Sequence, residues 1–168
     1  GRSTNKYPAQ LQFIKDHEAR NEFIVGLMLK LKNTGNTLML YQHTLHGKAL
    51  FIDTMAQLYP DVEVLNKNIT GKKSFEFQKQ YGVYFLNGED DAKTRENTRH
   101  VLEEHNDAIL IANFAILSTG VNIRKLHNLV FASPMKSFTT ITQSLGRGMR
   151  LHESKSVFTF FDLVDDFG

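Results

Sequence analysis

Ala108-Ile109-Leu110-Ile111-Ala112 is the most strand-like run in the chain. Short, continuously apolar and rich in β-branched residues, it fits a strand covered on both faces, as strands of a parallel sheet are. Thr37-Leu38-Met39-Leu40-Tyr41 has the same character. Working outward, Val83-Tyr84-Phe85-Leu86 is another strand, broken by Asn87-Gly88-Glu89-Asp90, and Asp91 to His105 is a charged helix anchored by Val101 and Leu102. Towards the C-terminus a loop or short helix runs through Ser118-Thr119-Gly120-Val121-Asn122-Ile123. Leu129-Val130-Phe131-Ala132 is a buried strand closed by Ser133-Pro134, and Val157 to Phe161 is the last one. Towards the N-terminus, the spacing of Phe23, Ile24, Leu27, Met28 and Leu31 predicts a helix from about His17 to Lys32, with Gly35 as its stop. His46 to Leu58 is helical and ends before Pro60, and Val62 to Leu65 reads as a short strand. Strands separated by helices predict an α/β fold: an open, mostly parallel sheet with helices on both faces.

Asn66 to Tyr81 interrupts this alternation. Its polar composition reads as an insertion, a surface loop or hairpin with Lys67, Lys72, Lys73 and Lys79 facing water, and deleting Lys72 to Lys79 should leave the fold intact. A nucleic-acid contact is the second reading of those lysines. Gly1 to Pro8 reads as a linker or tag remnant, and residues 9–168 as one domain.

The length of 168 residues suits a single core. A net charge of only +2 means that any anion site must be local. The absence of cysteine excludes disulfides, thiolate metal sites and thiol catalysis within the chain. No apolar run is long enough to span a bilayer, so a cytosolic protein without a membrane partner is expected. The histidines form no convincing metal set with the carboxylates, and no metal site is assigned.

In an open α/β sheet, ligands gather at the carboxyl ends of the strands. There the loops at Gln42-His43, Asn87-Gly88, Ser118-Gly120 and Ser133-Ser137 share one rim. From that rim starts Thr139-Thr140-Ile141-Thr142-Gln143-Ser144-Leu145-Gly146-Arg147-Gly148-Met149-Arg150. As a helix capped by Ser137, it sets Gln143, Arg147 and Arg150 on one face and Ile141, Leu145 and Met149 on the other. Arginine suits planar, bidentate contact with phosphate oxygens, although a solvated basic helix end reads equally well from the arginines alone. The chain has no G-x-x-x-x-G-K-[ST] loop, because Gly47-Lys48 and Gly71-Lys72 lack the upstream glycine and the following hydroxyl. It cannot cradle a nucleoside triphosphate unaided.

Read as Q-x-x-G-R-x-x-R, the segment Gln143 to Arg150 resembles motif VI of superfamily 2 helicases. Ser118-Thr119-Gly120-Val121-Asn122 resembles their motif V and Thr37 to Gln42 their motif IV. Leu86-Asn87-Gly88 followed by Arg95 resembles the glycine turn and helix that come next. Order and spacing agree across nearly the whole chain. The resemblance implies the second, RecA-like domain of a bipartite, ATP-dependent motor acting on DNA, with single strands and branched duplexes as substrates. ATP and Mg²⁺ would be held mainly by a first RecA-like domain, which this chain lacks. Arg150 would be the arginine finger, with Arg147 beside it and Gln143 positioning the same phosphate. Gly120 and Asn122 would approach the nucleotide, although many members carry Asp where Asn122 stands. Ser118, Thr119, His43 and Gly88 would touch the nucleic-acid backbone. His43 reads also as a plain surface histidine, and Arg95 as a structural residue paired with an acid of its own helix. An RNA helicase, a restriction-type translocase, or a non-catalytic nucleic-acid-binding module of the same fold are the alternatives.

Overall fold

The computed structural model describes residues 21–119, 126–132 and 156–159. Among these, five strands form one parallel sheet: β1 (Thr37–Tyr41), β2 (Val83–Leu86), β3 (Ile109–Asn113), β4 (Asn128–Phe131) and β5 (Ser156–Thr159). Their order is β2-β3-β1-β4-β5. The register is flush, since Thr37 faces both Ile109 and Asn128, Val83 faces Ile109, and Asn128 faces Ser156. All the strand ends therefore lie at two common edges.

Strand alternation sorts the side chains into two cores. Leu38, Leu40, Tyr84, Leu86, Leu110, Ala112, Leu129 and Phe131 point to one face, where Val101 and Leu102 of α5 (Ala92–Glu104) cover them. Met39, Tyr41, Val83, Phe85, Ile109, Ile111 and Val130 point to the other. There they meet Ile24, Val25, Met28 and Leu31 of α1 (residues 21–32) and Leu50, Phe51 and Met55 of α2 (Thr44–Leu58). The expected open α/β architecture is thus present, with β1 at its centre and helices on both faces.

Gly47 lets α2 lie close to β1: a Cβ there would sit 2.6 Å from the Tyr41 ring. Gly47, already excluded from a phosphate loop by its flanking residues, serves helix–strand packing.

Two expectations are overturned. Val62 to Leu65 is irregular rather than a strand, with Val62 and Val64 half-buried against the α1–α2 core. The segment Asn66 to Tyr81 is neither loop nor hairpin. It holds two short helices, α3 (Asn66–Ile69) and α4 (Ser74–Tyr81), that pack beside edge strand β2. Gln78 is buried and joins all three elements. Its amide donates to the carbonyls of Asn68 and Ile69, both at 3.0 Å, and its Oε1 accepts the Phe85 N–H at 3.0 Å. Phe77 and Tyr81, one turn apart, meet at a tilt with ring centroids 4.9 Å apart, and Tyr81 also meets Tyr59 at 4.8 Å. The apolar anchors in this segment are aromatics at helical spacing, which its polar average conceals. Deleting 72–79 would remove Phe77 and Gln78 from this packing, so a loss of stability is expected in place of an intact fold. Its four lysines do face water, as expected.

The expected motif VI helix, the residues Gly120 and Asn122, and the leading segment 1–8 lie outside the described residues.

Candidate nucleic-acid and nucleotide rim

Neighbouring strands β1 and β3 send their chains to opposite faces. After Tyr41 the chain passes through Gln42 and His43 into α2 on one face. After Asn113 it enters a 3₁₀ turn (Phe114–Thr119) whose Phe114 and Ile116 pack on the other. Connections that diverge from adjacent strands open a crevice at the carboxyl edge, the usual ligand site of such sheets. Asn113 pins the two exits together, its Nδ2 donating to the Gln42 carbonyl at 3.2 Å while its Oδ1 accepts the Ala115 N–H at 2.8 Å.

His43 stands at one lip. It is the N-cap of α2 and is exposed, and its imidazole makes no capping hydrogen bond. Beside it, Leu45 is 82 % exposed, the most open large apolar residue described. Ser118 and Thr119 close the 3₁₀ turn on the other lip. Ser118 and His43, far apart in sequence, thus follow adjacent strands.

The third exit is Asn87 to Asp91, between β2 and α5. Buried Asn87 donates its N–H to Asp90 Oδ2 at 2.8 Å and accepts the Glu89 N–H on Oδ1 at 2.8 Å. Asp91 caps α5 by accepting the Thr94 N–H at 2.7 Å, and these bonds hold its carboxyl below the usual carboxylate range. Gly88 at the apex is exposed, and a Cβ there would meet nothing within 4 Å. Its φ lies outside the left-handed region, so the backbone does not require glycine here. The turn leaves open space above the rim.

Burial pushes the Asp90 carboxyl up; the Asn87 N–H opposes this, and so does Arg95, more weakly. Arg95 thus acts on Asp90 of the turn and on Asp91, the cap of its own helix, in line with the structural role expected for it. Acids within the helix hold Arg99, which pairs with Glu96 and with Glu103 at 2.7 Å. Tyr41 crosses from β1 to donate to the Leu86 carbonyl at 2.9 Å, stacking on Phe85 at 5.5 Å. Burial, with the nearby Asp90 charge, pushes its hydroxyl well above the ordinary tyrosine range. It stays neutral and serves as a fixed strut. Sequence reading passed over Tyr41, Asp90 and Asn113; the available signal was a polar atom at or just past the end of a buried strand. Among the described residues no group of three or more His, Asp or Glu side chains could hold a metal ion, and no helix is long and apolar enough to cross a membrane.

Flush parallel strands, two covered faces and a switch-point rim define a RecA-like α/β domain. No family model matches the chain. It is 31 % identical over 163 residues to the ATP-dependent DNA helicase UvsW of Enterobacteria phage T4, which covers 96 % of this chain and 28 % of the T4 protein. The crystal structure of T4 UvsW superposes with a TM-score of 0.63 at 27 % identity, covering 91 % of this chain and 27 % of that one. The C-terminal part of the Fun30 ATPase domain superposes with a TM-score of 0.54 at 15 % identity over 80 % of this chain and 38 % of its own, a likeness of fold alone. The chain therefore resembles a UvsW-type helicase along nearly its whole length, while spanning little more than a quarter of that relative.

Proposed function

We propose that this chain is the second RecA-like motor domain of an ATP-dependent superfamily 2 DNA helicase or translocase that unwinds or remodels branched DNA in recombination, repair or replication. The observation that carries the reading is the 31 % identity to T4 UvsW across 96 % of the chain. The Q-x-x-G-R-x-x-R segment and the switch-point rim support it.

In this reading ATP with Mg²⁺, bound mainly by a first RecA-like domain of the same protein, supplies the phosphoryl group whose hydrolysis drives the motor. The residues of this chain close on it. Arg150 places its guanidinium on the terminal phosphate and Arg147 adds a second, offsetting charge that builds up on equatorial oxygens as the phosphoryl group transfers. Gln143 orients the same group, and Gly120 with Asn122 lines the nucleotide side of the crevice. His43 and Gly88, with Ser118 and Thr119, face the phosphate backbone of the tracked strand. Such contacts are independent of sequence, as translocation requires. Exposed Leu45 beside His43 offers apolar surface for the first domain to cover as the cleft closes.

The test is DNA-stimulated ATP hydrolysis by the longer protein that contains this chain, comparing wild type with Arg150→Ala. A loss of roughly 100-fold with DNA binding unchanged is expected for a transition-state arginine. Unchanged hydrolysis would sink the reading.

A further inference from the structure

Charge in this chain is unevenly placed. Residues 66–81 carry four lysines against one glutamate, a surplus of +3, whereas the whole chain is +2 and the remainder is therefore −1. This is the α3–α4 segment at the open edge of the sheet, and Lys67, Lys72, Lys73 and Lys79 are all exposed. None is in a salt bridge among the described residues. Elsewhere among the described residues Lys32 pairs with Asp107 at 3.2 Å and Arg99 is held between Glu96 and Glu103, while Lys30, Lys48 and Lys93 are also outside any salt bridge but do not share one short segment. The platform beneath the lysines is rigid. Gln78 ties α3, α4 and β2 together, and Ser74 is buried with its hydroxyl donating to the Gly71 carbonyl at 2.7 Å. Gly82, with φ of 71°, turns the chain directly from α4 into β2, so Lys72 and Lys73 stand at the far end of α4 from that turn.

We propose that the α3–α4 lysines form a second nucleic-acid contact, separate from the rim, that grips the phosphate backbone of duplex DNA beside the edge of the sheet. This rests on the nucleic-acid partner in the function proposed above. Strongly hydrated, flexible ammonium groups on a fixed base suit a contact that is electrostatic, independent of sequence and repeatedly broken and remade as a motor advances. Bound phosphates would release their counterions, so this surface should dominate the salt dependence of binding.

The test is fluorescence anisotropy of a labelled DNA duplex with the 168-residue chain over a range of salt concentrations. It compares wild type, a Lys67→Ala/Lys72→Ala/Lys73→Ala/Lys79→Ala variant and the same four positions changed to Arg. The alanine variant should keep the wild-type melting temperature, since all four side chains are exposed. It should lose roughly tenfold or more in affinity at low salt, and its plot of log affinity against log salt should flatten by about 3 units, close to one per phosphate released. The arginine variant should bind as wild type does. Wild-type affinity and slope in the alanine variant would overturn this surface while leaving the rim reading untouched. No binding by the unaltered chain at any salt would overturn it together with the nucleic-acid contacts of the rim. The Arg150 hydrolysis test is independent of both outcomes.

Discussion

The two edges of the sheet are built on opposite plans. At the amino edge the side chains of Asn36 and Asn128 point inward. Fully buried Asn36 donates through Nδ2 to the carbonyls of Leu102 and His105, at 2.8 and 2.7 Å, and accepts the Ala108 N–H on Oδ1 at 2.9 Å. Its carbonyl takes the N–H groups of His127 and Asn128, and its own N–H donates to His127 Nδ1 at 3.1 Å. One asparagine thus joins β1, β3, β4 and the end of α5. Gly35 beside it has φ of 139°, and a Cβ there would strike His127 at 2.3 Å. At the carboxyl edge, Asn87 and Asn113 instead pin loops whose tips stay open, with His43, Gly88 and Leu45 exposed. The same residue type serves both edges. The amino edge spends its hydrogen bonds on joining strands, and the carboxyl edge on fixing the bases of its loops, so stability and candidate binding surfaces occupy different ends of one sheet.

This contrast can be broken at three points. The largest effect should come from Asn36→Ala, which leaves two carbonyls and one N–H without their side-chain partner in a dry site. A stability loss of about 3 kcal/mol or more in denaturant unfolding is expected, and a loss under about 1 kcal/mol would mean that the amino edge is not the clamp described. Asp90→Asn should act less and with the opposite sign. Because the folded state holds the Asp90 proton more tightly than the unfolded chain, its contribution is present below the ordinary carboxylate range and is lost as pH rises through the elevated folded value. Asparagine can still accept the Asn87 N–H, so the variant should melt slightly higher than wild type at neutral pH and show a flatter dependence of melting temperature above about pH 4. An unaltered pH profile would assign no stored electrostatic cost to the carboxyl edge. Smallest of all is Gly88→Ala, whose Cβ meets nothing. Melting should stay within about 0.5 kcal/mol of wild type while nucleic-acid affinity falls, and unchanged affinity would remove Gly88 from the rim contacts.

How much of this was legible beforehand varied with the kind of signal. The strands at 37–41, 83–86 and 109–113 declare themselves because strands buried on both faces need unbroken apolar runs, and the parallel sheet follows from the helices between them. Val62 to Leu65 has similar composition but lies outside the sheet. The outward Phe85 N–H is taken by the Gln78 side chain rather than by a further strand. The α3–α4 pair was hidden for a related reason: Ile69, Phe75, Phe77 and Tyr81 are too sparse among lysines, asparagines and glutamines to lift the average above that of a loop. At the rim, His43, Gly88, Ser118 and Thr119 were named through motif resemblance, whereas Tyr41, Asp90 and Asn113 became visible through the bonds they make.

Tyr84 is fully buried in the α5-side core, where it meets Phe75; its hydroxyl has no hydrogen-bond partner among the described residues, and burial pushes its pKa up to about 12.

By itself, the sequence determined the α/β alternation, the positions of most elements, and which loops end at the carboxyl edge, because these follow from local periodicity and from the short reach of each connection. It also carried the Q-x-x-G-R-x-x-R pattern by which the chain resembles a helicase. Only the tertiary structure decided the order β2-β3-β1-β4-β5, the divergence of the β1 and β3 exits that opens the crevice, and the seating of four exposed lysines at the sheet edge. Those depend on contacts between residues dozens of positions apart, such as Asn36 with Ala108 and Gln42 with Asn113. Local patterning constrains each partner without specifying the pair.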